Sequence, residues 1–261
     1  MSEISPQWQH VAQSLREVRA RMGGAAASAG REAGEVTLVA VSKTFPAAAI
    51  RAATACGQRH FGENYVQEAL PKMAEVQAML AADIESAASH HPAGVTSPQA
   101  GPLLRPLVWH FIGPIQSNKT RDIAAHFDWV HGIEREKIAR RLSEQRPDKL
   151  PPLNVCIQVN VSGEASKSGV APHEVAALAG LVSGLPRLKL RGLMTIPEAD
   201  GDPRLRFRLL RELRDGLNAQ GLALDTLSMG MSGDFEIAIA EGATLVRVGS
   251  AIFGKRNYDN K

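Results

Sequence analysis

A lysine amine attacks an aldehyde only when it is unprotonated, and this sequence offers one place where burial could keep it so. Lys43 closes the run VTLVAVSK, in which Thr37, Val39, Val41 and Lys43 alternate onto one face. If that run is a barrel strand, Lys43 points toward the crowded axis, where desolvation disfavours the ammonium and favours Schiff-base formation. A lysine ending a strand is more commonly a surface cation with its stem along apolar surface, so the neighbours decide. Arg247, in TLVRVGS, shares a face with Leu245 and Gly249. An arginine among β-branched residues needs a buried partner, either a glutamate such as Glu63 or Glu241, or a ring nitrogen or phosphate. Gly249 and Ser250 follow it, and glycine there lets backbone N–H groups approach an anion. In SMGMSGDFEIAI, Gly230 permits a tight turn, and Ser232 can cap a helix that begins with Asp234 and Glu236. The hydroxyls of Ser228 and Ser232 are candidate phosphate donors. Asn64 and His110 could each line a ring-shaped ligand, although a hydrogen-bonded structural role explains either one alone. The segment NVSGEASKSG, with Lys167 inside it, reads as a flexible loop or a second anion nest.

These residues all fall just after apolar runs that read as strands. Eight such runs occur: Val36–Ser42, Arg59–Gly62, Leu107–Ile112, Trp129–His131, Leu153–Val159, Leu188–Leu193, Leu224–Ser228 and Thr244–Val248. Helical patterns fill the gaps, for example Asp202 and Pro203 opening a segment with Leu205, Leu209, Leu213 and Leu217 at four-residue steps. Eight strand–helix units predict a single α/β domain over residues 1–261, a (β/α)8 TIM barrel whose function sits at the C-terminal strand ends. An open doubly wound sheet is the alternative, but the chain contains neither G-x-G-x-x-G nor a Walker-type phosphate loop. An extra N-terminal helix is expected from Ser5 as cap, Pro6 at the first position and Trp8, Val11, Leu15, Val18 and Met22 on one face, broken by the Gly/Ala stretch from Gly23 to Gly34. From Ala81 to Pro106 periodicity fails, which predicts a disordered loop insertion; His90 and His91 within it lack companion metal ligands.

Composition removes several classes. With 44% hydrophobic and 22% charged residues, the 261-residue chain can bury a full core. A net charge of +3, spread along the chain, gives no footprint for specific nucleic-acid binding. Two distant cysteines, Cys56 and Cys156, predict reduced thiols rather than a disulfide or metal centre. There is no signal-peptide pattern and no apolar run of about 18 residues, which predicts a cytoplasmic protein with no membrane partner.

Taken together, VAVSKTFP, FGENYVQEAL, WHFIGPIQSNK, NVSGEASKSG, LRGLMTIPE and LSMGMSGDFEIAIAEGATLVRVGSAIFG closely resemble the pyridoxal phosphate homeostasis, or YggS-like, family. The resemblance runs from about residue 6 to 254. It implies a barrel similar to the N-terminal domain of alanine racemase, with pyridoxal 5′-phosphate (PLP) held as a Schiff base on Lys43. It further implies phosphate contacts from the SMGMS turn, Gly249 and Ser250, and Arg247 near the pyridine nitrogen. With Asn64, His110 and the Met194 of MTIP, these residues make up the expected cofactor set. The long insertion and the VHGIER segment depart from the family pattern without touching that set.

An arginine at the ring nitrogen disfavours ring protonation and weakens the electron sink that carbanion chemistry needs. Racemases with such an arginine rely on a second domain for an opposing base, and none is expected in the few residues after the last barrel motif. The leading expectation is therefore a protein that holds PLP for vitamin B6 homeostasis without fast turnover, a monomer with apo PLP-dependent enzymes as acceptors. An amino-acid racemase using Lys43 is the enzyme alternative; a lysine aldolase acting on a sugar phosphate fits less well, since it needs a dedicated acid/base pair near the lysine and the first-strand position fits the racemase-like pattern better.

Overall fold

The computed structural model describes residues 5–89, 105–164, 168–197 and 201–255. Eight parallel strands close into a barrel in chain order: β1 (Thr37–Val41), β2 (His60–Glu63), β3 (Val108–Phe111), β4 (Trp129–Ile133), β5 (Leu153–Gln158), β6 (Leu188–Met194), β7 (Thr226–Ser228) and β8 (Leu245–Val248). Closure is made where Thr37 to Ala40 pair with Leu245 to Val248. Each strand lies where the apolar runs predict it. In β1, Leu38 and Ala40 join the continuous apolar layer beneath the helices, while Val39 and Val41 turn toward the axis. A Cβ built on Gly62 would meet Val39 and Ile112, and one on Gly249 would meet Val41, so glycines leave room on that inner face.

Helices cover the outside: α1 (His10–Ser28), α2 (Ala47–Ala55), α3 (Val66–Ser89), α4 (Thr120–His126), α5 (Glu136–Gln145), α6 (Val175–Ser183), α7 (Pro203–Ala219), α8 (Phe235–Ala240) and α9 (Ser250–Phe253). The N-terminal helix buries Val11, Leu15, Val18 and Met22 as expected. Its ends differ from expectation. Pro6 opens only a 3-10 turn over Pro6–Trp8, Ser5 makes no side-chain cap, and the α-helix starts at His10. It also runs through Gly23 and Gly24 to Ser28, because the alanines beyond are strong helix formers and Ala26 is buried under the same face.

The expected loop from Ala81 to Pro106 is corrected in its first part: α3 continues as helix to Ser89. Its apolar positions extend as far as Leu80, and Arg51 pairs with Asp83 at 2.6 Å, holding that turn against α2. His90, His91 and the rest of the segment to 104 lie outside the described residues, as does Lys167. In α7, Asp202 caps the helix by accepting from the Arg204 N–H at 2.9 Å, matching the Asp–Pro start. The buried face is Phe207, Leu210 and Leu217, while Leu205 is exposed. A strict four-residue step drifts around a helix with 3.6 residues per turn, and it carries Leu205 out of the core.

Candidate functional site

The residues after β1, β2, β3, β6, β7 and β8 enclose a cavity of about 610 Å³ at the C-terminal mouth of the barrel. Lys43, Asn64, Ser232, Arg247, Gly249 and Ser250 line it, together with Ile112, Ile196 and Lys255. Six of the nine expected cofactor residues thus line one cavity. The other three, His110, Met194 and Ser228, are buried and do not line it. Met194 and Ser228 are neighbours in the β6–β7 register, one layer below the mouth.

Lys43 is half-buried, and the backbone on either side of it is clamped. The buried Lys72 Nζ donates to the Ser42 carbonyl at 3.0 Å and pairs with Glu63 and Glu68, at 3.0 and 2.6 Å. Glu68 in turn accepts from the Thr44 N–H at 2.6 Å, and the Ser42 hydroxyl donates to Glu63, also at 2.6 Å. Thr44 sits at φ +69°, a left-handed conformation that costs a threonine about 1–3 kcal/mol and needs such a clamp to persist. Burial pushes the Glu63 carboxyl above its ordinary range, against the pull of Lys72 and Ser42. Sequence reasoning missed Lys72, although Glu68 and Lys72 stand at the i,i+4 spacing of a helical ion pair.

Arg247 is buried and pairs with neither glutamate proposed for it. Glu63 is taken by Lys72, and Glu241 by Arg204, Arg208 and Arg211 of α7. Instead, the guanidinium donates to Ser228 Oγ at 2.6 Å and to the Thr195 carbonyl at 2.8 Å. Burial lowers its pKa to about 10, which leaves it a cation at neutral pH. Ser228, anticipated as a phosphate donor, therefore serves as the arginine's support.

At the β7 and β8 ends two tight turns meet. Gly230 has φ +90° and packs so closely on α8 that an added Cβ would lie 2.6 Å from that of Ala238. Ser250 Oγ lies 3.2 Å from Ser232 Oγ, so the two hydroxyls and the first N–H groups of α9 form one polar corner of the cavity. Ser232 does not cap α8; Asp234 precedes it, accepting from the Met231 N–H at 2.6 Å. Across the mouth, Asn64 Oδ1 is buried without a hydrogen-bond partner among the described residues. A buried acceptor left unmet in a cavity wall fits a ligand that brings a donor.

The cavity thus combines an amine, a buried cationic donor, a hydroxyl corner and an unmet acceptor, the donor set that PLP, with its aldehyde, pyridine nitrogen, phosphate and phenolic oxygen, requires. Among the described residues no three His, Cys, Asp or Glu side chains gather as metal ligands. No described helix is long and apolar enough to cross a membrane.

Residues 13–257 match the family described as alanine racemase, N-terminal domain. The pyridoxal phosphate homeostasis protein of Pseudomonas aeruginosa is 55% identical over 248 residues, covering 95% of this chain and 96% of that one. The chain belongs to the pyridoxal phosphate homeostasis protein family. The member from Escherichia coli K12 is 48% identical, with 96% and 99% of the two chains covered. A solved structure, PipY of Synechococcus elongatus PCC7942 with PLP bound, superposes with a TM-score of 0.74 at 34% identity, over 94% of this chain and all of that one. Alanine racemase from Corynebacterium glutamicum superposes at 0.64 with 15% identity, over 97% of this chain and 63% of its own, a likeness of fold.

Proposed function

We propose that this chain binds pyridoxal 5′-phosphate in the C-terminal cavity, attached through Lys43, and holds the cofactor for vitamin B6 homeostasis without fast turnover. The observation that carries this is the convergence of Lys43 and Arg247 on one cavity wall, in a chain whose relatives bear that name. When bound, the cofactor supplies an aldehyde carbon with which a primary amine condenses, releasing water. Lys43 supplies that amine, and the Lys72–Glu63–Glu68 clamp holds its backbone. Arg247 directs a permanent donor at the pyridine nitrogen and so keeps the ring unprotonated. Ser232, Ser250 and the adjacent N–H groups take the phosphate, and Asn64 accepts from the ligand across the mouth. His110, Met194 and Ser228 act from below as support rather than contact.

The protein works in the cytoplasm as a monomer, with apo PLP-dependent enzymes as acceptors. Its test is borohydride reduction of the PLP-loaded protein followed by peptide mapping. The label is expected on the peptide holding Lys43 and absent from Lys43→Ala; label at Lys119, Lys137 or Lys167 instead would overturn the assignment. Incubation with single-enantiomer alanine or serine separates the racemase reading, since sustained racemisation would contradict a holding role.

A further inference from the structure

An unbroken row of hydrogen bonds runs through the barrel from the cofactor cavity to the opposite mouth. Arg247 Nη1 donates to Ser228 Oγ, which lies 2.7 Å from His131 Nδ1. His131 Nε2 lies 2.9 Å from His110 Nδ1, and His110 Nε2 lies 2.9 Å from His60 Nδ1. His110 and His131 are wholly buried, and burial pushes both rings far below the ordinary histidine pKa, so both are neutral. His60 is half-buried and lines a second cavity, of about 520 Å³, with Arg19 and Arg59 at the N-terminal mouth.

The donor inventory gives this row a direction. A guanidinium only donates, so Ser228 Oγ accepts from Arg247, and among the described residues its own proton has one acceptor, His131 Nδ1. The His131 proton is then on Nε2 and is donated to His110 Nδ1; by the same step His110 carries Nε2–H and donates to His60 Nδ1. Every proton points away from the arginine. We propose that His131 and His110 are positioning residues for Arg247, acting through Ser228, and that His60 is the titratable outer end through which the N-terminal mouth acts on the cofactor site.

Protonating His60 from solvent at the N-terminal mouth adds one proton to the row, at the Nδ1 where the row needs an acceptor. The His110 Nε2–H then faces another donor and that hydrogen bond is lost, so His110 loses the acceptor that fixes its tautomer and, through His131 and Ser228, the support it passes to Arg247. The groups that share the cavity or a hydrogen bond with His60 are Arg19 from α1, Arg59 beside it and His110 from β3; among the described residues no carboxylate lines that cavity, and Asp225 of the barrel floor is already paired with Arg191 at 2.8 Å. Burial opposes protonation of His60, so this loss belongs to the acidic side of neutrality.

This inference rests on the placement of Arg247 at the cofactor ring, and its tests separate the two. In the cofactor-free protein at neutral pH, long-range ¹⁵N–¹H correlation of the imidazoles is expected to show His110 and His131 both as Nε2–H tautomers. Nδ1–H tautomers or an even mixture would overturn the polarity, whatever PLP does. In the loaded protein, the absorption of bound PLP is expected to show a step below pH 6.5 that His60→Gln abolishes, since glutamine accepts from His110 but takes up no proton. Superimposable pH profiles for the two proteins would overturn the coupling. Ser228→Ala, which removes the link to Arg247 while adding no bulk, is expected to weaken PLP binding about tenfold and to lose the same step. Unchanged affinity with the step retained would show that the row does not position the arginine. Failure of PLP to bind at all would sink the functional reading and leave the tautomer test standing.

Discussion

Lys72 illustrates how one buried charge can govern another residue's geometry. Its ammonium stands between Glu63, whose side chain is fully buried, and Glu68, with the Ser42 carbonyl as a third acceptor. Lys72→Met keeps the stem but strands Glu63, whose remaining side-chain partner is the Ser42 hydroxyl. Removing one partner of such a buried pair costs about 3–5 kcal/mol, far more than the pair's net worth. Urea unfolding of the variant should show that loss, and PLP affinity should fall with it because Thr44 loses the clamp on its left-handed backbone. Normal affinity in a destabilised protein would separate the clamp from the site. The two thiols give a second prediction at this scale. Cys156 is fully buried and its pKa is pushed up to about 12, whereas Cys56 is only half-buried. A thiolate is the reactive form, so a thiol reagent at pH 8 should modify Cys56 in the native protein and reach Cys156 only on unfolding.

At the scale of elements, two glycines separate space from crowding. Gly24 lies within α1 with nothing within 4 Å of an added Cβ. Gly24→Ala should therefore stabilise the protein by about 0.8–1 kcal/mol through helix propensity, measurable as a raised urea midpoint. Gly113, just past β3, is the opposite case: an added Cβ would lie 2.4 Å from the Asn64 carbonyl oxygen. Gly113→Ala must push the Asn64 backbone, and with it a wall of the cofactor cavity, so it should weaken PLP binding; an unaltered dissociation constant would show that Asn64 is not held there for the ligand. The same contrast explains what could be read from sequence. Strands of β-branched residues and the Lys43 and Arg247 positions are local patterns, and they were legible. The continuation of α1 through Gly23 and Gly24 was not, because it depends on Ala26 packing against other elements. Nor was the partner of Arg247: Ser228 and Thr195 are 19 and 52 residues away, and only barrel closure brings them together. His131 had been visible as a strand end, but its role appears only once β3, β4 and β7 place His110, His131 and Ser228 in line.

For the whole molecule, a barrel interior that holds neutral histidines makes stability depend on pH in a definite direction. His110 and His131 have folded pKa values well below 6.5, and His60 is lowered as well, all mainly by burial. Once unfolded, each ring returns to about 6.5, so below that pH the unfolded chain binds protons that the native chain does not. Stability is thus fully present above about pH 6.5 and falls as the pH drops toward the folded values. Two buried rings give a slope of up to about 2.7 kcal/mol per pH unit. Glu63 and Asp128 work against this, because burial raises their folded pKa values, and the penalty on their charged forms is relieved as the pH falls through those values. The two carboxyls therefore offset part of that slope. Urea unfolding at pH 5, 6, 7 and 8 should show a plateau at the upper two values and a fall of about 1.4–2.7 kcal/mol between pH 6 and pH 5. His110→Gln should lower stability at neutral pH yet flatten that fall by about half, since one of the two proton-binding differences has gone. Equal stability at pH 5 and pH 7 in the parent protein would mean that the interior row already carries a proton, and the fixed polarity inferred for it would fail together with this prediction.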